Sequence, residues 1–132
     1  MSTSINIEFV ISGEVFDLNT ITYKLELQPT EQWLKGDNIY NRNITRKDTC
    51  WTYSLGEVES LDVNDELSKI IEILLMKKHT LHEIKRIFDV DYLFLITVKI
   101  EDEVKPIISI KSQAIELMNY IGAEFDIDMY IY

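Results

Sequence analysis

The stretch Asn64 to Lys78, NDELSKIIEILLMKK, constrains this chain more than any other. Val63, Leu67, Ile70, Ile71, Leu74 and Leu75 recur at three- and four-residue spacing, which sets them on one face of a helix. Asn64 or Asp62 can cap its start. Asp65 and Glu66 fall in the first turn and Lys77 and Lys78 in the last, an order that suits the helix dipole. A helix with a single apolar stripe must bury that stripe against a second layer, so the rest of the chain has to supply a sheet.

Strand patterns flank this helix on both sides. From Ser4 to Ser12, Ile5, Ile7, Phe9 and Ile11 alternate with Asn6, Glu8, Val10 and Ser12, the mark of a half-buried strand ended by Gly13. Thr49 to Leu55 sets Trp51, Tyr53 and Leu55 against Cys50, Thr52 and Ser54. In Tyr92 to Ile100 one face is wholly apolar, and Leu93 and Leu95 begin the other, which predicts a central strand. Pro106 opens an expected strand over Ile107 to Ile110. A last strand runs from Ala123 to Tyr132, with Phe125, Ile127, Met129 and Ile131 directed to the core and Glu124, Asp126, Asp128 and Tyr130 directed away.

Shorter helices fill the gaps. Asp17 or Asn19 can cap one carrying Leu18, Ile21 and Leu25, which Pro29 stops. Thr80-Leu81-His82-Glu83 matches a capping box for a short helix with Leu81, Ile84 and Phe88 inward. Ser112 can cap another, with Ala114, Leu117, Met118 and Ile121 inward and Gly122 left-handed at its end. Residues 28–48 read as an irregular loop, broken by proline, glycine and asparagines. The expected order is β-α-β-α-(α)-β-β-α-β over one domain, residues 1–132. This makes an α+β, two-layer α/β sandwich, ferredoxin-like, with a mixed, largely antiparallel sheet. Parallel pairing is expected within each terminal β-α-β unit. The sheet face away from the helices would then show Asn6, Glu8, Thr52, Ser54, Thr97, Lys99, Asp126, Asp128 and Tyr130.

Charge narrows the partner. The net charge is −10, with −2 in residues 1–56 (5 basic, 7 acidic) and −8 in residues 57–132 (8 basic, 16 acidic). That field opposes nucleic acid and anionic membranes and permits a basic protein partner. The N-terminus has no basic region followed by an apolar segment, and one cysteine cannot form an internal disulfide, so a cytoplasmic protein is expected.

No catalytic motif is present, and no catalytic residue, cofactor or metal site is assigned. His79 and His82 lack a third ligand. Cys50, in a strand, reads as a small hydrophobe. Two surfaces are candidates for partner binding. One is the acidic last strand with Glu124, Asp126, Asp128 and Tyr130. The other is the 28–48 loop with Trp33, Tyr40, Arg42 and Arg46, the locally basic and aromatic stretch.

Val10-Ile11-Ser12-Gly13 before Phe16-Asp17, then Pro29, Lys35-Gly36-Asp37, Trp51 with Ser54, Ile121-Gly122-Ala123 and Asp126-Ile127-Asp128 together resemble the uncharacterised bacterial family catalogued as domain of unknown function four-two-seven-nine. The loop between Gly36 and Trp51, rich in asparagine and arginine, departs from that pattern. The resemblance covers nearly the whole chain. It implies a small cytoplasmic protein, transfers no catalytic residue, and brings an analogy to immunity proteins of toxin systems. The expected function is therefore a non-enzymatic protein-binding domain, an immunity protein or inhibitor of a basic partner. The alternatives are an enzyme or binder of a small anionic ligand at the 28–48 loop, or a structural homodimer.

Overall fold

The computed structural model describes residues 2–132. The elements are β1 (Ser4–Gly13), α1 (Leu18–Leu25), β2 (Glu31–Trp33), β3 (Thr49–Ser54), β4 (Val58–Glu59), α2 (Val63–Leu75), α3 (Lys78–Ile87), β5 (Asp91–Ile100), α4 (Ser112–Ile121) and β6 (Ala123–Ile131). The fold is α+β. A six-stranded sheet runs in the order β2-β3-β1-β5-β6, with β4 paired to β1, and only the β5–β6 pair is parallel.

The helices form where their stripes predict, and three of the expected caps are used. Asp17 opens α1 by accepting from the Asn19 amide, and Asp62 opens α2 by accepting from Asn64 and Asp65. Gly122 ends α4 at φ 70°, ψ 42°. The stripe of α2 is wholly buried at Val63, Leu67, Ile70, Ile71 and Leu74. It joins Ile21, Leu25, Leu81, Ile84 and Leu117 of the other helices and Ile5, Ile7, Phe9, Ile11, Trp51, Phe94 and Ile96 of the sheet in one core. All four helices thus lie against one sheet face, and the other face is open.

Several expectations give way. β1 and β3 pair antiparallel, from Glu8 opposite Ser54 to Gly13 opposite Thr49, so the first β-α-β unit is not a parallel crossover and the ferredoxin-like order is not the one formed. The segment after α1 is long enough to add β2 at the edge and return beside β1. No strand forms over Ile107 to Ile110. The chain leaves β5 by a Glu101–Val104 turn and makes only a single bridge, Ile107 to Asp62, at the start of α2. Pro106, without a donor, begins this detour. The capping box is also not used. α2 stops at Leu75 and α3 starts at Lys78, leaving Thr80 inside it, and Lys111 rather than Ser112 precedes α4.

The irregular loop is an ordered hairpin. Gly36 donates to Arg46, Ile39 to Ile44 and Arg46 to Asp37 through the backbone. Its tip is a tight turn with Tyr40 and Asn41 both left-handed, at φ 48° and 58°.

The largest departure is β6. Phe125, Ile127, Met129 and Ile131 are exposed at 42%, 37%, 46% and 74%, whereas their row-mates in β5, Phe94, Ile96 and Val98, are at 0%. The helix layer covers β1 and β5 and stops short of the outermost strand, so the expected inward row of β6 is not core.

Candidate protein-binding face

Register assembles the open face row by row. Glu31, Thr52, Val10, Leu93 and Glu124 lie side by side across it. The next row is Ser54, Glu8, Leu95 and Asp126, followed by Asn6, Thr97 and Asp128, then Glu59, Ser4, Lys99 and Tyr130. Every residue expected on this face is there. The face spans about 19 Å from β2 to β6 at the usual strand spacing. Its centre is half-buried apolar surface at Val10, Leu93 and Leu95, and its β6 border is acidic.

The carboxylates here are not neutralised locally. The ion pairs among the described residues are Lys35–Glu14, Lys69–Glu66 and Lys99–Glu57, and none reaches Glu8, Glu31, Glu124, Asp126 or Asp128. Lys99 is held by Glu57 at 2.9 Å. Tyr130 donates to Asp128 Oδ2 at 2.9 Å, and the carboxylate that accepts this bond holds the phenol above its ordinary pKa.

Glu8 sits mid-strand between Ile7 and Phe9. Burial, and next the carboxylate of Glu31, push its pKa above the ordinary carboxylate value. The folded pKa lies above the unfolded one, so ionising Glu8 penalises the folded state. That penalty is complete above the folded pKa and disappears below the unfolded value near about 4.3. Glu8→Gln should therefore raise Tm at pH 7 and match the wild type in acid. Solvent screens a half-buried carboxylate, so the gain should be small, about 1–2 °C by calorimetry. An equal gain at both pH values would show that charge is not its cause.

The opposite border is aromatic. Trp33 follows Glu31 by two residues on β2, so it faces the same side, paired to Cys50. The Arg46 guanidinium stacks on Trp33, 3.7 Å from the ring centroid. With Ser12, Cys50, Ile39, Ile44 and Asp48 among others they line a shallow pocket of about 290 Å³. Trp33 and Arg46 are thus brought together, while Tyr40 and Arg42 are exposed on the hairpin tip. Cys50 is buried, and that burial pushes its thiol pKa up, the reverse of an activated nucleophile.

The histidines lie on the helix layer, away from this face. His79 Nδ1 is 3.0 Å from the Tyr120 hydroxyl and His82 stacks on the Tyr120 ring. Among the described residues no group of three histidine, cysteine, aspartate or glutamate side chains lies close enough to hold a metal. Among the described residues no helix is long and apolar enough to cross a membrane. The residue that sequence reasoning left out of the candidate set is Glu8. Its signal was a carboxylate between two core residues of a strand.

The described residues thus form an α+β fold with helices on one side of the sheet and an open, acid-bordered face on the other. The chain belongs to the family described as Domain of unknown function (DUF4279), whose model matches residues 3–132. No curated protein and no solved structure matches it.

Proposed function

We propose that this protein is a non-enzymatic binding domain whose open sheet face takes a basic protein, as an inhibitor or immunity protein does. The observation that carries this reading is the row of carboxylates without a salt bridge among the described residues, beside half-buried apolar surface. Charge of one sign speeds encounter with the opposite sign, and apolar and aromatic surface then holds the complex. A cation docking beside Glu8 and Glu31 would also relieve their mutual repulsion, so binding should release protons near the raised Glu8 pKa. The lone cysteine, a buried free thiol, accords with a reducing cytoplasm.

A second reading has one observation in its favour: Arg46 over Trp33 beside a pocket could grip a small anion. Association rates separate the two. A partner is first captured from the host cell and purified. Asp126→Asn with Asp128→Asn should slow its association several-fold at low salt, and the effect should shrink as salt rises, because exposed charges are screened beyond about 8 Å at physiological ionic strength. If this pair changes nothing while Trp33→Ala or Arg46→Ala abolishes binding, the hairpin is the functional surface and the acidic face is not.

A further inference from the structure

The β6 edge has the form of a strand that lacks a neighbour. Ala123–Ile131 pairs without interruption with Tyr92–Ile100 on one side and, among the described residues, with no strand on the other. An edge of nine residues offers a row of free backbone N–H and C=O groups. Natural edges are blunted by short length, charged side chains, proline, bulges or a covering element, and of these β6 carries charge alone. β6 is long, has no proline or glycine, and keeps regular register. On its helix side Phe125, Ile127, Met129 and Ile131 are partly or largely uncovered, an apolar row that a neighbouring strand would flank and extend. On its open side stand Glu124, Asp126 and Asp128.

We propose that the β6 edge accepts an extended segment of a partner protein as an additional strand, a segment that alternates apolar residues with lysine or arginine. This rests on the reading of a basic partner given above. Strand addition supplies backbone hydrogen bonds for affinity and uses alternate side chains for selection. One row of the incoming strand covers Phe125, Ile127 and Met129. The other sets cations opposite Asp126 and Asp128, where cross-strand pairs of opposite charge are favourable.

The same acidic row argues against a second copy as the occupant. Two β6 strands running antiparallel about a two-fold at Ile127 would set Asp126 against Asp128. A two-fold at Asp126 would set Asp126 against itself and Glu124 against Asp128. Like charges directly opposite are destabilising, so in the registers that pair most of β6 the edge disfavours itself and favours a basic strand.

The probe is a capped synthetic peptide alternating valine and lysine over the length of β6. It should bind the full-length protein, and hydrogen exchange should slow at the outward amides of Ala123–Ile131. The valine–glutamate peptide, and a valine–lysine peptide N-methylated at alternate amides, should not bind. Asp126→Asn with Asp128→Asn should weaken binding about tenfold at low salt, the size expected of two cross-strand charge pairs. Binding that tolerates N-methylation, protection elsewhere in the molecule, or a protein that is already a dimer with β6 amides protected overturns the proposal. Failure of the peptide with a basic partner that still depends on Asp126 and Asp128 rejects strand addition alone. A basic partner indifferent to those aspartates rejects the reading beneath it as well.

Discussion

Trp51→Ala should be the most damaging single truncation, lowering stability by about 3–5 kcal/mol. Trp51 is fully buried on the helix side of β3, opposite Ile11 of β1. Its ring lies 6.5 Å from that of Tyr53, nearly parallel, and its Nε1–H donates to Thr22 Oγ1 at 3.0 Å, tying α1 to the sheet. Truncation opens a large cavity between a short helix and a strand that holds its place mainly through β1, and it removes that tie. Thr22 is part-exposed, so its hydroxyl can turn to water and the lost hydrogen bond is the smaller part. Trp51→Phe, which keeps most of the apolar contact, should be clearly milder than Trp51→Ala. Urea unfolding of both variants checks this. A loss below about 1 kcal/mol for Trp51→Ala would mean that α1 is not pinned through this side chain. The variant leaves Trp33 as the sole tryptophan, and acrylamide should quench it more readily than Trp51 in the complementary Trp33→Phe protein.

Element type was legible in the longer elements, where both periodicities are clean, and not in short β2 and β4 or over Ile107 to Ile110. The stripe of α2 and the alternation of β1, β3, β5 and β6 each fit one template. Strand direction was not legible between β1 and β3. A helix between two strands suggests a crossover, but residues 28–48 let the chain double back, and nothing local records that path. The hairpin was not legible because its tip uses Tyr40 and Asn41 in the left-handed region, where Asn-Gly would have been the sequence signal. Burial of β6 was not legible, for a different reason. Alternation reports which row can be buried, and it does not report whether this chain provides the cover. The candidate face was legible in outline, since alternation alone sets Glu124, Asp126, Asp128, Thr97 and Lys99 on one side. The stacking of Arg46 on Trp33 and the crowding of Glu8 by Glu31 required the register of β2 with β3 and β1.

Gly13→Ala should destabilise the protein by about 1–3 kcal/mol even though Gly13 does not occupy the left-handed region. Elsewhere, replacing glycine by alanine at an ordinary conformation favours the folded state by about 0.4–1 kcal/mol, by restricting the unfolded chain. Space decides the sign here. A Cβ on Gly13 would stand 2.6 Å from the backbone carbonyl of Asp89, with Phe16 Cδ1 at 3.3 Å and Val90 Cγ1 at 3.4 Å. The carbonyl belongs to the α3–β5 junction and cannot swing aside as a flexible side chain would, so β1 and that junction must part. Their separation strains the adjoining pair Ser12–Asp91, at the corner of the open face beside Cys50 and Trp33. Gly36→Ala is the contrast. It sits at φ 95° with nothing within 4 Å of the added carbon, so it meets backbone strain and no clash. Gly13→Ala should lower the urea midpoint and speed amide exchange at Ser12 and Asp91, whereas Gly36→Ala should leave that exchange unchanged. A Gly13→Ala protein as stable as the wild type would show that β1 and the α3–β5 junction do not approach this closely.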